Sequence, residues 1–190
     1  ETGFRIKTGT DGVVASLGAG TTFWIEPGLT ANTSHYRYVE VWNANGLNTS
    51  TAIVRYTLAA LPGIAAFTNI SSFTVQANWT NGGNSGGTLY YAEGSSTTAA
   101  GPYNINSGWT PALNNYFINL LAETTYFFRV KAVNTDGIET STYTFLGSTV
   151  TTAGAPQQHA AAQKSPRSTP AAAAKSSRRR APSFTAFSRR

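Results

Sequence analysis

Residues 120–142 read LLAETTYFFRVKAVNTDGIETST, and residues 29–51 read LTANTSHYRYVEVWNANGLNTST. The two stretches align at a constant offset of 91 without a gap, and nine of 23 positions are identical. The shared residues are Leu29/Leu120, Ala31/Ala122, Thr33/Thr124, Val39/Val130, Asn43/Asn134, Gly46/Gly137, Thr49/Thr140, Ser50/Ser141 and Thr51/Thr142. A chain carrying such a self-match holds two copies of one structural unit. Within the second copy, Tyr126, Phe128, Val130 and Ala132 alternate with Phe127, Arg129 and Lys131. That period of two puts the first set on one face of a strand and the second set on the other.

The rest of residues 1–155 supports strands. Thr, Asn, Gly, Tyr and Phe are abundant, and short β-favouring runs alternate with Gly/Asn/Pro clusters. FTVQANW (Phe73–Trp79) and TLYYAE (Thr88–Glu93) are two such runs. Asn81–Gly87 (NGGNSGG) reads as a flexible loop, and Asn134-Thr135-Asp136-Gly137 as a hairpin turn in which Gly supplies a positive φ. The fold class is all-β.

These residues resemble a fibronectin type III domain. FTVQANW ends in Trp79, as the family's second strand ends in its core tryptophan. Leu120, Thr124 and Tyr126 match L-x-x-x-T-x-Y, and Tyr126, Phe128, Val130, Ala132 and Asn134 match the following strand. The resemblance implies an immunoglobulin-like β-sandwich whose core holds Trp79, Leu120, Thr124, Tyr126, Phe128, Val130 and Ala132. The corner Tyr would bury its ring and use its hydroxyl on backbone across the turn.

Three segments are expected: a truncated repeat at 1–60, a complete one at 61–153 and a tail at 154–190. By the offset, Phe4 corresponds to Ser95. The first copy would therefore begin part-way through its third strand and lack its first two. His35 stands at the corner Tyr position and Arg37 at an inward Phe position. The first copy should thus show exposed strand edges and an uncovered apolar face. The chain has no Met and opens Glu1-Thr2-Gly3, which reads as a mature product or a piece of a longer tandem array.

The formal charge of +6 belongs to the tail. Residues 1–155 carry six basic residues against eight acids, a net of −2, while 156–190 carry eight basic residues and no acid. All 18 Gly precede residue 155. A segment rich in Ala, Ser, Pro and Arg with only Phe184 and Phe187 as large apolar residues cannot offset its chain entropy and is expected to be disordered. Arg178, Arg179, Arg180, Arg189 and Arg190 could hold an anionic surface or nucleic acid without sequence specificity. A plain solvated tail and the product of a shifted reading frame remain open beside that reading.

Catalytic and metal chemistry finds little support. The chain has no Cys, which excludes disulfides and thiolate-bound metals. Its two His, His35 and His159, fall in a strand and in the tail, which argues against a Ser–His pair. No two of the eight acids sit in a shared motif. Asp136-Gly137 lacks the rest of a calcium loop, and Asn81–Gly87 lacks the Lys-Ser/Thr that closes a phosphate loop. No apolar run approaches 18 residues.

The remaining candidates are aromatic. Trp42 aligns with Val133, expected to face outward, and Trp109 lies in a stretch read as a linker. Either could stack on a sugar ring or a protein partner. Four Asn-x-Ser/Thr sequons begin at Asn32, Asn48, Asn69 and Asn78. The resemblance implies a non-enzymatic spacer, adhesion or protein-binding module without a cofactor, secreted or at the cell surface and of bacterial type. Its partners would be a protein or polysaccharide and neighbouring repeats in cis. The alternatives are an accessory carbohydrate-binding region beside a secreted enzyme and an adaptor acting through the basic tail.

Overall fold

The computed structural model describes residues 1–154, so the tail residues Arg178, Arg179, Arg180, Arg189 and Arg190, and His159, lie outside the described part. Twelve strands and no helix occur among the described residues. The first five are β1 (Gly3–Thr8), β2 (Val13–Gly18), β3 (Ser34–Asn43), β4 (Gly46–Thr49) and β5 (Ile53–Tyr56). The other seven are β6 (Gly63–Ile64), β7 (Val75–Thr80), β8 (Leu89–Ser95), β9 (Ile105–Thr110), β10 (Asn114–Phe117), β11 (Thr125–Val133) and β12 (Thr144–Val150).

The later strands form a closed sandwich. One sheet runs β10-β7-β6 and the other β12-β11-β8-β9, all antiparallel. Strand alternation sends Val75, Ala77 and Trp79 of β7 and Tyr126, Phe128, Val130 and Ala132 of β11 into the space between them. Phe128 is the hub. Its ring centroid lies 4.9 Å from Phe117, 5.3 Å from Phe67 and 6.3 Å from Tyr126. Gly94 on β8 makes room for that ring, since a Cβ there would come within 2.8 Å of it. Phe73 is exposed, and the strand begins only at Val75.

The corner before β11 is tied from two sides. Leu121 N donates to the Tyr126 hydroxyl at 3.0 Å. Thr151, beyond the end of β12, accepts from Thr124 N at 3.0 Å and donates to Leu121 O at 2.6 Å.

The first five strands form a single sheet, β2-β1-β3-β4, with β5 also on β3. Its pairing repeats that of the later four-stranded sheet. Gly3 faces Trp42 across the ladder as Leu89 faces Val133, so β1 matches β8 at an offset of 86 rather than 91. The expected equivalence of Phe4 with Ser95 is thereby corrected to Phe4 with Tyr90, and the third strand is present from its start. The chain segments before β3 and β11 differ in length, which a single offset cannot capture. No counterpart of β6 or β7 occurs among residues 1–60, and among the described residues no second sheet covers the face that carries Leu29 and Val39. Leu29 is 37% and Val39 36% exposed, against 4% and 0% for their counterparts Leu120 and Val130.

Candidate functional site

Two surfaces and one joint carry the side chains that could bind something. The first surface is the outer face of the sheet β12-β11-β8-β9. Alternation that buries Phe128 and Val130 sends Arg129 and Lys131 outward. Arg129 Cζ lies 3.8 Å from the Tyr103 ring centroid and 3.9 Å from that of Tyr143, and its guanidinium pairs with Glu93 at 2.8 Å. Lys131 Nζ sits 5.1 to 5.5 Å from Tyr143, Tyr91 and Trp109 and pairs with Glu139 at 2.5 Å. A shallow groove of about 370 Å³ runs past Tyr103, Arg129, Tyr143 and Phe145.

Trp109 lies within β9 and not in a linker, which corrects the sequence expectation. It pairs across the ladder with Tyr91, and the rings lie 5.2 Å apart. Asn, Ser and Gly around it lowered its apparent strand character, but the Tyr91–Trp109 pair fixes it in the sheet. Val133 is also corrected: it is buried rather than outward. Trp42 is half-buried under Arg5, whose Cζ lies 5.1 Å from the ring centroid. Trp42 and Trp109 stand on different sheets and are not brought into one site.

The outer faces of the two repeats are built from the same pairs in exchanged positions. In the first, Arg5 pairs with Glu40 at 2.7 Å, and Lys7 lies over the Tyr38 ring at 5.9 Å. In the second, the position of Arg5/Glu40 is taken by Tyr91/Lys131 and that of Lys7/Tyr38 by Glu93/Arg129. Ion pair and cation–aromatic pair have traded places, and cation and acid have traded strands. Hydrogen bonds from Arg5, against the effect of burial, hold the Glu40 carboxyl below its ordinary value. Every cation on these faces already has an acid or a ring, so neither face presents unbalanced positive charge.

The second surface is the open face of the first sheet. A groove of about 500 Å³ is lined by Phe4, Ile6, Leu17, Trp24 and Val39, with Glu26 and Arg37 in its wall. Arg37 donates to both oxygens of Glu26, at 2.9 and 2.6 Å. These bonds lower the Glu26 carboxyl from its usual range and raise Arg37. His35 bonds Thr33 Oγ1 at 2.8 Å. The corner bond that Tyr126 makes is therefore not made here, yet the threonine clamp is kept. Thr57 accepts from Thr33 N at 3.0 Å and donates to Thr30 O at 2.6 Å, as Thr151 does in the second repeat.

The joint between the repeats is polar. Asn32 is buried at 1% exposure with φ of 47°, a conformation Asn tolerates better than most residues. Its Nδ2 donates to Thr88 Oγ1 at 2.7 Å, and its Oδ1 accepts from Thr135 N at 2.9 Å. Asn84 accepts from Ala60 N and donates to Ala60 O. Asn134 donates to Thr57 O, and Asp136 accepts from Tyr56 N at 2.9 Å. The loop Asn81–Gly87 and the turn Asn134–Gly137 thus meet the first repeat. Sequence reasoning missed this joint because each residue alone reads as turn chemistry. Asn32 and Glu123, at equivalent positions, both adopt positive φ.

The core candidates Trp79, Leu120, Tyr126, Phe128, Val130 and Ala132 lie in one buried cluster, and Thr124 stands at the corner beside it. Among the described residues no three His, Cys, Asp or Glu side chains gather as metal ligands, and no helix is long and apolar enough to cross a membrane.

No model of a known protein family matches the chain, and no curated protein does. Solved structures do. Domains A168–A170 of titin superpose at TM-score 0.44 and 19% identity, over 80% of this chain and 55% of that one. Chicken CNTN1 domains FN1–FN3 give 0.37 and 15%, over 79% and 56%. A two-domain fibronectin type III segment of chicken tenascin gives 0.45 and 12%, over 76% and 82%. The chain spans about half the length of the first two. The strand order is independent of these likenesses: a three-stranded sheet packs on a four-stranded one, with the corner tyrosine Tyr126 at the start of β11. With that order, the strands from Gly63 to Val150 form a fibronectin type III-like β-sandwich.

Proposed function

We propose that the chain is a non-catalytic spacer and binding module, with an open repeat at 1–60, a complete one at 61–153 and a basic tail from 154. The joint at Asn32 carries this reading. A spacer must hold successive repeats in a set relation, and a buried, hydrogen-bonded polar contact does so where bare chain would not. Residual dipolar couplings on the full chain test it. One alignment tensor should fit the strands of both repeats; two unrelated tensors would reject the spacer role. An exported or surface location, with neighbouring repeats and a protein ligand as partners, goes with this reading.

A second reading has one specific support. Trp109 is 39% exposed beside Tyr91 and Lys131, a ring surface suited to stacking on a sugar. Retention of the full chain on insoluble polysaccharides, and its loss in Trp109→Ala, would favour an accessory carbohydrate-binding role. No retention of either protein removes it.

A further inference from the structure

The outer face of the sheet β12-β11-β8-β9 carries an exposed ring at each of its two edges. Trp109 on β9 is 39% exposed, and Phe145 on β12 is 45% exposed. Both lie on the same face. Trp109 stands beside Tyr91, which stands beside the outward Lys131, and Phe145 stands beside the outward Arg129. The two edge strands are three strand steps apart, or about 14 Å. Tyr91, tilted 48° to Trp109, buttresses one edge, and Tyr143 lies with Phe145 in the shallow groove at the other.

Between the rings the charges balance one for one. Glu93 Oε2 accepts from Arg129 Nε and lies 2.8 Å from its Nη2, and Glu139 Oε2 accepts from Lys131. Arg129 Nη1 and the second oxygen of each carboxylate make no hydrogen bond to the described residues. An ionic ligand would meet no net charge on this face. A protein partner laying apolar side chains on the rings would desolvate those polar atoms without bonding them. A neutral sugar chain meets both needs, with C–H faces for the rings and hydroxyls that donate and accept for the polar atoms.

We infer that this face binds a straight, neutral, β-1,4-linked sugar chain laid across the strands, with one sugar ring on Trp109 and another, further along the chain, on Phe145. The hydroxyls between them bond Arg129 Nη1 and the free oxygens of Glu93 and Glu139. The inference rests on the carbohydrate reading above and extends it to a second contact and a ligand class. A short sugar reaches one edge only. A longer one engages both, and its second contact is made at the high effective concentration that the first one sets. Affinity must therefore depend on chain length.

The test is titration calorimetry of the full chain with β-1,4-linked glucose oligomers of two and of six rings. The six-ring oligomer should bind at least tenfold tighter than the two-ring one. Phe145→Ala and Trp109→Ala should each cancel that gain, while Phe145→Tyr and Trp109→Phe, which keep a ring at each edge, should retain most of it. A six-ring uronic-acid oligomer should bind more weakly than the neutral one, because Glu93 and Glu139 already hold the cations of this face. Equal affinity for the two lengths overturns the inference and leaves the reading at Trp109 alone standing. A gain that survives Phe145→Ala does the same. A uronic-acid oligomer that binds as tightly as the neutral one also overturns it, since the face would then be reading charge. Silence from every oligomer removes this inference together with the carbohydrate reading.

Discussion

Arg37 grips Glu26 through two hydrogen bonds, 2.9 and 2.6 Å long, at the positions where the second repeat packs Phe128 against Phe117. The two substitutions are coupled. Either alone would set one charge against an aromatic ring in a sheet-to-sheet space, and together they cancel. The ion pair also suits a face open to water, where a Phe pair would add to the exposed apolar surface.

The pair makes the first repeat acid-sensitive. Hydrogen bonds from Arg37, opposed by burial, keep the Glu26 carboxyl below its ordinary value of 4.5 in the folded state. The unfolded chain then binds that proton more readily than the folded one, so stability falls as pH falls. The contribution is complete above about pH 4.5 and is lost as pH drops through the lower folded value. Amide exchange in β1 and β3, followed from pH 6 to pH 3, should show this loss. Glu26→Gln should flatten the dependence, and an unchanged slope would refute the assignment.

The threonine clamps predict a result that sequence alone does not. Thr151→Val keeps the shape of the side chain but leaves Thr124 N and Leu121 O without their partner. A loss of about 1–3 kcal/mol is expected. Tyr126→Phe, which removes only the bond from Leu121 N, should cost about 1 kcal/mol. Chemical denaturation with unchanged m-value would measure both. If Thr151→Val costs less than Tyr126→Phe, the clamp is not the main support of the corner.

Trp79 offers a different kind of test. It is 2% exposed, and its indole N–H is the one buried side-chain group without a partner among the described residues. The ring fills the core against Tyr90, with centroids 6.2 Å apart, but its donor gains nothing. Trp79→Ala should cost about 3–5 kcal/mol through the cavity it opens. Trp79→Phe should cost much less, because the loss of volume is partly offset by removal of an unpaired donor. Equal losses for the two would mean that the N–H has a partner the geometry does not show.

The corner, the turn and the alternating strand were legible because each is local: Leu120, Thr124, Tyr126 and Gly137 declare themselves within 18 residues of chain. The repeat was legible for the same reason. Trp109 was not, because its strand identity comes from Tyr91 across the ladder and from no propensity of its own neighbours. The clamp of Thr57 and Thr151 was hidden in the same way, since each reaches a corner about 27 residues earlier in the chain. The joint was least visible. Asn32, Thr88 and Thr135 are ordinary turn residues in sequence and become a buried network only when both repeats are placed.

That network leads to the last prediction. Asn32 begins a glycosylation sequon, yet its side-chain nitrogen is buried and donates to Thr88. A glycan on that nitrogen could not coexist with the joint. Expression in a glycosylating host should therefore leave Asn32 bare while exposed Asn48 and Asn69 accept sugar, as peptide mass mapping would show. Asn32→Gly retains the positive φ and removes three side-chain bonds. It should lower stability by about 2 kcal/mol and let the repeats reorient, splitting the single alignment tensor into two. Occupancy at Asn32 in folded protein, or a joint that stays rigid in Asn32→Gly, would show that the repeats are held by something other than this contact.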